Sequence, residues 1–113
     1  MDRFLGNPDD ETRLIAERGD GELVGIGALV LASSELRACY VLPSATRRGV
    51  GTALVREIER IAREHGLSHL SLESSVTAEP FYRALGYVVV ERGELVLAPG
   101  ISMAAIKMQK QLE

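Results

Sequence analysis

The chain has 113 residues, 46% of them hydrophobic and 26% charged, with a formal net charge of −3. These values fit one modest globular domain over residues 1–113 and give no case for a nucleic-acid partner. A single cysteine, Cys39, excludes an intramolecular disulfide and suits a reducing compartment. No apolar run reaches the roughly 18 residues that cross a bilayer, and the charged start lacks the apolar stretch of a signal peptide, so a cytoplasmic chain with no membrane partner is expected.

Residues 1–11 carry Gly6, Asn7, Pro8 and three acids and read as an irregular lead-in. In "TRLIAERG" (12–19), Leu14 and Ala16 alternate with Arg13, Ile15 and Glu17, the pattern of a half-buried strand. "GDG" (19–21) is a turn signal, so a hairpin leads into the buried strand "ELVGIGALVLA" (22–32), where Gly25 and Gly27 mark a bulge or a close approach. "ELRACYVLP" (35–43) is a third strand, stopped by Pro43.

A helix follows over about 49–65, with Val50, Leu54, Ile58, Ile61, Ala62 and His65 on one stripe and Arg56, Glu59, Arg60, Arg63 and Glu64 away from it. Gly66 stops it. "LSHLSLE" (67–73) is a short strand, and "TAEPFYRALG" (77–86) a short helix capped by Thr77 and ended by Gly86. "YVVVERGEL" and "ISMAAIKMQKQL" close the chain as two strands joined near "APG". The order is β-β-β-α-β-α-β-β. Hairpins imply antiparallel neighbours and the strand–helix–strand crossover a parallel pair. The fold class is therefore α/β (α+β): a mixed, mainly antiparallel sheet with one central parallel pair and two helices packed on it.

The helix from Gly49 opens on Arg47 and Arg48, although cations sit badly at the positive end of a helix. An anion there would resolve this. Gly49 and Gly51 let a ligand approach the backbone, and the free N–H groups of the first turn suit a pyrophosphate. A tight strand-to-helix turn with solvated arginines is the plainer reading of the same residues. Neither a P-loop nor a dinucleotide fingerprint fits: Thr-Ala-Leu follows Gly51 where Lys-Ser/Thr is needed, and Leu54 stands where a third small residue belongs.

"YVLPSATRRGVGTAL" (40–54), followed by a strand and then "AEPFYRALGY" (78–87), resembles the GNAT superfamily of acetyl-coenzyme A-dependent N-acetyltransferases. That family carries Q/R-x-x-G-x-G/A at a helix start and a later A-x-x-F-Y-x-x-x-G-F/Y. The resemblance runs from Arg13 to Leu112. It departs at Thr46, where the family has Gln or Arg, and at Thr77, where it often has Asn. The family also places a strand and two helices ahead of the hairpin, and only about eleven residues stand there in this chain.

The resemblance implies that the anion is the pyrophosphate of acetyl-coenzyme A, held by backbone N–H groups of Arg47, Arg48, Gly49, Val50, Gly51 and Thr52. The strand through Cys39, Tyr40 and Val41 would pair with the pantetheine arm, its N–H near Tyr40 or Val41 polarising the thioester carbonyl. Tyr82 matches the family's acid tyrosine, and Glu73 stands where several members place a general base. By themselves these two read as an amphipathic core tyrosine and a solvated strand-end carboxylate. Cys39 reads as an apolar packing residue. His65 and His69 have no metal-ligand spacing with carboxylates or the thiol, so no metal site is expected.

The function implied is acetyl transfer to a primary amine by direct attack, the acceptor being unidentified. A catalytically degenerate acyl-coenzyme A sensor is the alternative, favoured by the short lead-in. The apolar closing strands and the missing front of the family's acceptor wall point to a homodimer whose partner supplies part of that wall.

Overall fold

The computed structural model describes residues 2–4, 11–17, 19, 21–41 and 49–112, with the backbone alone at 2–4 and Ala38. The chain runs β1 (Asp2–Phe4), β2 (Glu11–Glu17), β3 (Leu23–Val30), β4 (Glu35–Val41), α1 (Val50–Glu64), β5 (His69–Ser74), α2 (Glu79–Ala84), β6 (Val88–Ala98) and β7 (Ile101–Gln111). The strands form one sheet in the order β1-β2-β3-β4-β5-β7-β6. Every pairing is antiparallel except β4 with β5, which is parallel. This is the mixed sheet with one parallel pair that the sequence implies.

The lead-in is not wholly irregular, as residues 2–4 pair antiparallel with residues 12–14 and put a strand ahead of the hairpin. A three-residue strand leaves too little periodicity to be read from sequence, and the Gly-Asn-Pro cluster just after it dominates the local signal. The hairpin of β2 and β3 forms as the "GDG" turn requires, with Gly21 at φ +87°.

At Gly25 the reason for glycine is close approach: an added Cβ would fall 3.0 Å from Leu54 Cδ1 and 3.1 Å from both the Tyr40 carbonyl and Val50 Cγ1. The helix α1 therefore lies directly on β3. The irregularity in the β3–β4 ladder sits farther along, between Ala28 and Leu29.

Leu54, Val55, Ile58, Ile61 and Ala62 of α1 pack on Leu14, Leu29, Leu36, Leu70, Leu72, Ile106 and Met108 from the sheet. Two helix residues depart from the expected stripe. His65 is exposed, its Nδ1 within 2.9 Å of the Ile61 carbonyl at the helix end. Glu59, read as a solvent-face residue, is fully buried because Tyr87 and Lys110 cover that flank of the helix. Their positions lie 28 and 51 residues away in sequence, beyond the reach of a helical pattern.

The second helix is shorter than the 77–86 expected. Ala78 is its N-cap residue and no side chain caps the helix, so Thr77 does not take the capping role expected of it; in the turn ahead the Ala78 N–H donates to Ser75 Oγ at 3.1 Å. Pro80 in the first turn and Gly86 at φ +100° past the end frame the helix as anticipated. The last hairpin is longer than its sequence suggests, since β6 continues to Ala98. Leu95, Val96, Leu97, Ile101 and Met103 near its tip are all exposed.

Candidate active site

The site begins where the parallel pair stops. The strands β4 and β5 share a single register pair, Glu35 with Ser71, supported by the Ser71 N–H donating to the Ser34 carbonyl at 2.9 Å. Past that point they diverge. On the β5 side, the edge of β4 from Arg37 to Val41 is left without a strand partner among the described residues. An unpaired strand edge presents a row of N–H and C=O groups.

Across from this edge lies the start of α1. Gly49 is the N-cap residue at φ +79° and ψ 6°, with no side-chain cap, and no acidic side chain stands in the first turn. The first intrahelical bond donates from Ala53 N to the Gly49 carbonyl at 2.9 Å. The N–H groups ahead of Ala53 are thus the orphan donors of the helix, at its positive end.

Cys39, Tyr40, Val41, Gly49, Gly51, Thr52, Thr77, Ala78 and Phe81 line one cleft of about 630 Å³. That size falls in the range of small-molecule and cofactor sites. Six of the nine residues expected to meet the cofactor are thereby brought together. Val50 turns inward toward Gly25 and contributes no side chain to the wall. Arg47 and Arg48 lie outside the described residues.

Thr77, Ala78 and Phe81 were not among the expected site residues. They come from the segment that opens α2, which closes the far side of the cleft. The ring of Phe81 approaches Gly51 so closely that an added Cβ would lie 3.2 Å from its Cζ. The signal in the sequence was the Phe-Tyr pair itself, where one ring serves the wall and the other the core.

Tyr82 is buried behind that wall, edge-on to Phe81 at 5.0 Å and to Tyr87 at 5.9 Å between ring centroids. Burial pushes its phenol up to about 12, with Cys39 and Tyr40 of β4 adding to the shift. Such a group stays protonated at neutral pH and can donate. Burial likewise raises the Cys39 thiol to about 11, which keeps it protonated and unsuited to act as a nucleophile.

Glu73 is exposed near the end of β5, in register with Lys107 of β7. It does not line the cleft. It borders shallow depressions against the last hairpin, one of which it shares with Glu91, Gly93, Glu94, Leu95, Ala105 and Lys107. Neither of the two residues expected to move protons lines the cleft: Tyr82 lies buried behind its wall, and Glu73 lies exposed against the last hairpin.

The second helix is braced at its first turn. Glu79 receives two hydrogen bonds from Arg92 of β6, at 3.0 and 2.8 Å, and one from Arg83 at 2.7 Å. These guanidinium groups hold its carboxyl at about 2.

Comparison with known proteins agrees with this geometry. The family model described as acetyltransferase (GNAT) domain matches residues 1–112. An IAA acetyltransferase of Azospirillum brasilense is 34% identical over 90 residues, which cover 74% of this chain and 58% of that protein. A GCN5-related N-acetyltransferase structure from Rhodopseudomonas palustris superposes with a TM-score of 0.82 at 30% identity, over 90% of this chain and 62% of that one. The structure of nourseothricin acetyltransferase superposes with a TM-score of 0.80 at 25% identity, over 94% and 67%. The chain thus spans about three fifths of the length of the first two.

Proposed function

The chain belongs to the acetyltransferase (GNAT) family, and from that premise we propose that it moves an acetyl group from acetyl-coenzyme A to a primary amine by direct attack. The observation that carries this reading is the open edge of β4 facing the orphan N–H groups of α1 across one cleft. A pantetheine arm adds to such an edge as a further strand would, and a pyrophosphate suits the helix start. Gly49, Gly51 and Thr52, with Arg47 and Arg48, would hold the pyrophosphate. The backbone of Cys39 to Val41 would hold the arm and polarise the thioester carbonyl through an N–H at Tyr40 or Val41.

The amine nitrogen attacks the thioester carbon, the carbonyl electrons move onto oxygen, and their return breaks the carbon–sulfur bond. The amine loses a proton to Glu73, directly or through water, and the leaving sulfur takes one from Tyr82. A buried phenol that stays protonated at neutral pH suits a donor to the departing thiolate. Isothermal calorimetry with acetyl-coenzyme A, then a thiol-release screen across polyamine, aminoglycoside, amino-acid and peptide amines, tests the reading. Micromolar binding followed by thiol release with one amine is the expected result. Binding without release from any amine replaces it with the sensor.

The same reading includes a homodimer in the cytoplasm. Six residues, 5–10, separate β1 from β2, fewer than two helices of ordinary length need. In this reading the partner copy supplies part of the cover that the family usually builds over the acceptor side. Exposed Leu95, Val96, Leu97, Ile101 and Met103 on the last hairpin offer an apolar surface of the kind that marks interfaces. Light scattering at micromolar concentration should report twice the chain mass of 12.3 kDa. A monomer that acetylates amines at ordinary rates refutes the dimer.

A further inference from the structure

Glu59 is a carboxylate with no exposed surface, placed two thirds of the way along α1. Its Oε2 accepts hydrogen bonds from the Tyr87 hydroxyl at 2.9 Å and from Lys110 Nζ at 3.0 Å, and its Oε1 accepts one from Arg56 at 3.2 Å. Arg63 lies farther out, 3.9 Å from the same Oε1. Lys110 Nζ also donates to the Leu85 carbonyl at 2.8 Å and sits 5.6 Å from the centroid of the Tyr87 ring.

Four elements meet at this cluster: α1 through Glu59, the C-cap of α2 through Leu85, the entry to β6 through Tyr87, and β7 through Lys110. Gly86, at φ +100°, borders it closely, since a Cβ there would lie 3.3 Å from Lys110 Cε. None of these residues lines the cleft.

Buried ion pairs contribute little net stability, since desolvation offsets their attraction, and apolar replacements of similar volume are often as stable. A fully satisfied buried network instead rigidifies what it joins. The part joined here is the turn from α2 into β6, and the Tyr87 ring it anchors stands edge-on against Tyr82. We propose that Glu59 and Lys110 are positioning residues for Tyr82: by fixing Tyr87 and the last carbonyl of α2 they hold the phenol at the angle from which it protonates the departing thiolate. This rests on the acetyl-transfer reading above. In that step the sulfur takes the Tyr82 proton as the carbon–sulfur bond breaks, and the resulting phenolate regains a proton from solvent.

The variants are Lys110→Met, which keeps the length and the apolar stem, and Glu59→Gln combined with Lys110→Met, which removes both charges and leaves no buried ion unpaired if the single variant folds poorly. The assay is thiol release from acetyl-coenzyme A with whichever amine of the screen gives turnover. A misplacement of about 1 Å can cost on the order of 10²-fold in rate. A fall in kcat of roughly 10- to 100-fold is therefore expected, with the KM for acetyl-coenzyme A within about threefold. Added to Tyr82→Phe, either variant should cause no further loss, because its effect acts through a hydroxyl already removed. Lys110→Arg should restore part of the rate.

A second readout needs no turnover. The chain has three tyrosines and no tryptophan, so incorporated 3-fluorotyrosine gives three fluorine resonances, with Tyr82 assigned from Tyr82→Phe. The Tyr82 resonance should shift or broaden in the charge-removal variants. An unmoved resonance, or a loss that adds in full to that of Tyr82→Phe, overturns the proposal. Wild-type turnover in Tyr82→Phe overturns the proton-donor reading, and the positioning role with it. A large loss in Tyr82→Phe beside wild-type kcat in the charge-removal variants overturns the positioning role alone.

Discussion

The two glycines at the start of α1 should separate stability from binding. Gly49 stands at φ +79° with nothing within 4 Å of an added Cβ, so alanine there meets no neighbour but must adopt a left-handed backbone. That conformation costs an L residue roughly 1–2 kcal/mol. At about 4–8 °C per kcal/mol for a domain slightly smaller than this one, Gly49→Ala should lower Tm by several degrees. Gly51 lies inside the helix, where alanine gains up to about 1 kcal/mol of propensity. Its added methyl would come 3.2 Å from Phe81 Cζ and 3.5 Å from Val41 Cγ2, closing on the cleft from both sides. The Phe81 ring is half-buried and can retreat by a few tenths of an ångström, so Tm should stay nearly level. Affinity for acetyl-coenzyme A should fall about tenfold, or ~1.4 kcal/mol. Differential scanning calorimetry and isothermal titration read the two quantities independently. Gly51→Ala at wild-type affinity would refute the placement of the cofactor, and an unchanged Tm in Gly49→Ala would refute the strain argument.

Three other outcomes follow from the geometry. Tyr82→Phe should lower turnover by roughly 10²- to 10⁴-fold while leaving cofactor affinity nearly unchanged, a split visible in steady-state kinetics; equal losses in both would make Tyr82 a packing residue. Glu73→Gln should lose most at low pH, where the amine most needs deprotonation, and a loss independent of pH would exclude a base. The Glu79 carboxyl, held at about 2 by Arg92 and Arg83 against an ordinary value of 4.5, contributes stability that is present above pH 4.5 and lost as pH falls toward 2. Arg92→Met should therefore flatten the acid limb of a stability-against-pH curve measured by urea denaturation, and an acid limb identical to wild type would show that the pair adds nothing in water.

What could be read from the chain was what lies close together in it. The "GDG" hairpin, the glycine start of α1 and the "FYRALGY" helix each carry their geometry within about ten residues, and each forms. Glu59 could not be read, because its burial is decided by Tyr87 and Lys110, and a helical wheel that counts only α1 puts a glutamate in solvent. The strand β1 is too short for a period to show. Thr77 is not the cap because the helix starts two residues after it, with Ala78 at the N-cap position and no side chain capping it. For the site, the glycine turn was legible by type and spacing, and the β4 edge only through the family resemblance. The role of Phe81 as wall and the separation of Tyr82 from Glu73 were not, since both depend on how far β4 and β5 diverge, which no local pattern encodes.

That divergence makes the sheet two leaves on one hinge. After Glu35 meets Ser71, no strand pairing joins β4 to β5 among the described residues, and the two halves share one hydrophobic core. A strand-like ligand laid along β4, as proposed, would supply missing rungs, so occupancy should be felt as stiffness as well as affinity. A ligand that binds the folded gap and not the unfolded chain would raise stability by mass action. It should also slow amide hydrogen exchange on both leaves at once, reaching Leu70 and Leu72 on β5 although neither touches the cleft. In mechanical terms the gap between β4 and β5 is a seam, and a cofactor laid along β4 would be its stitch.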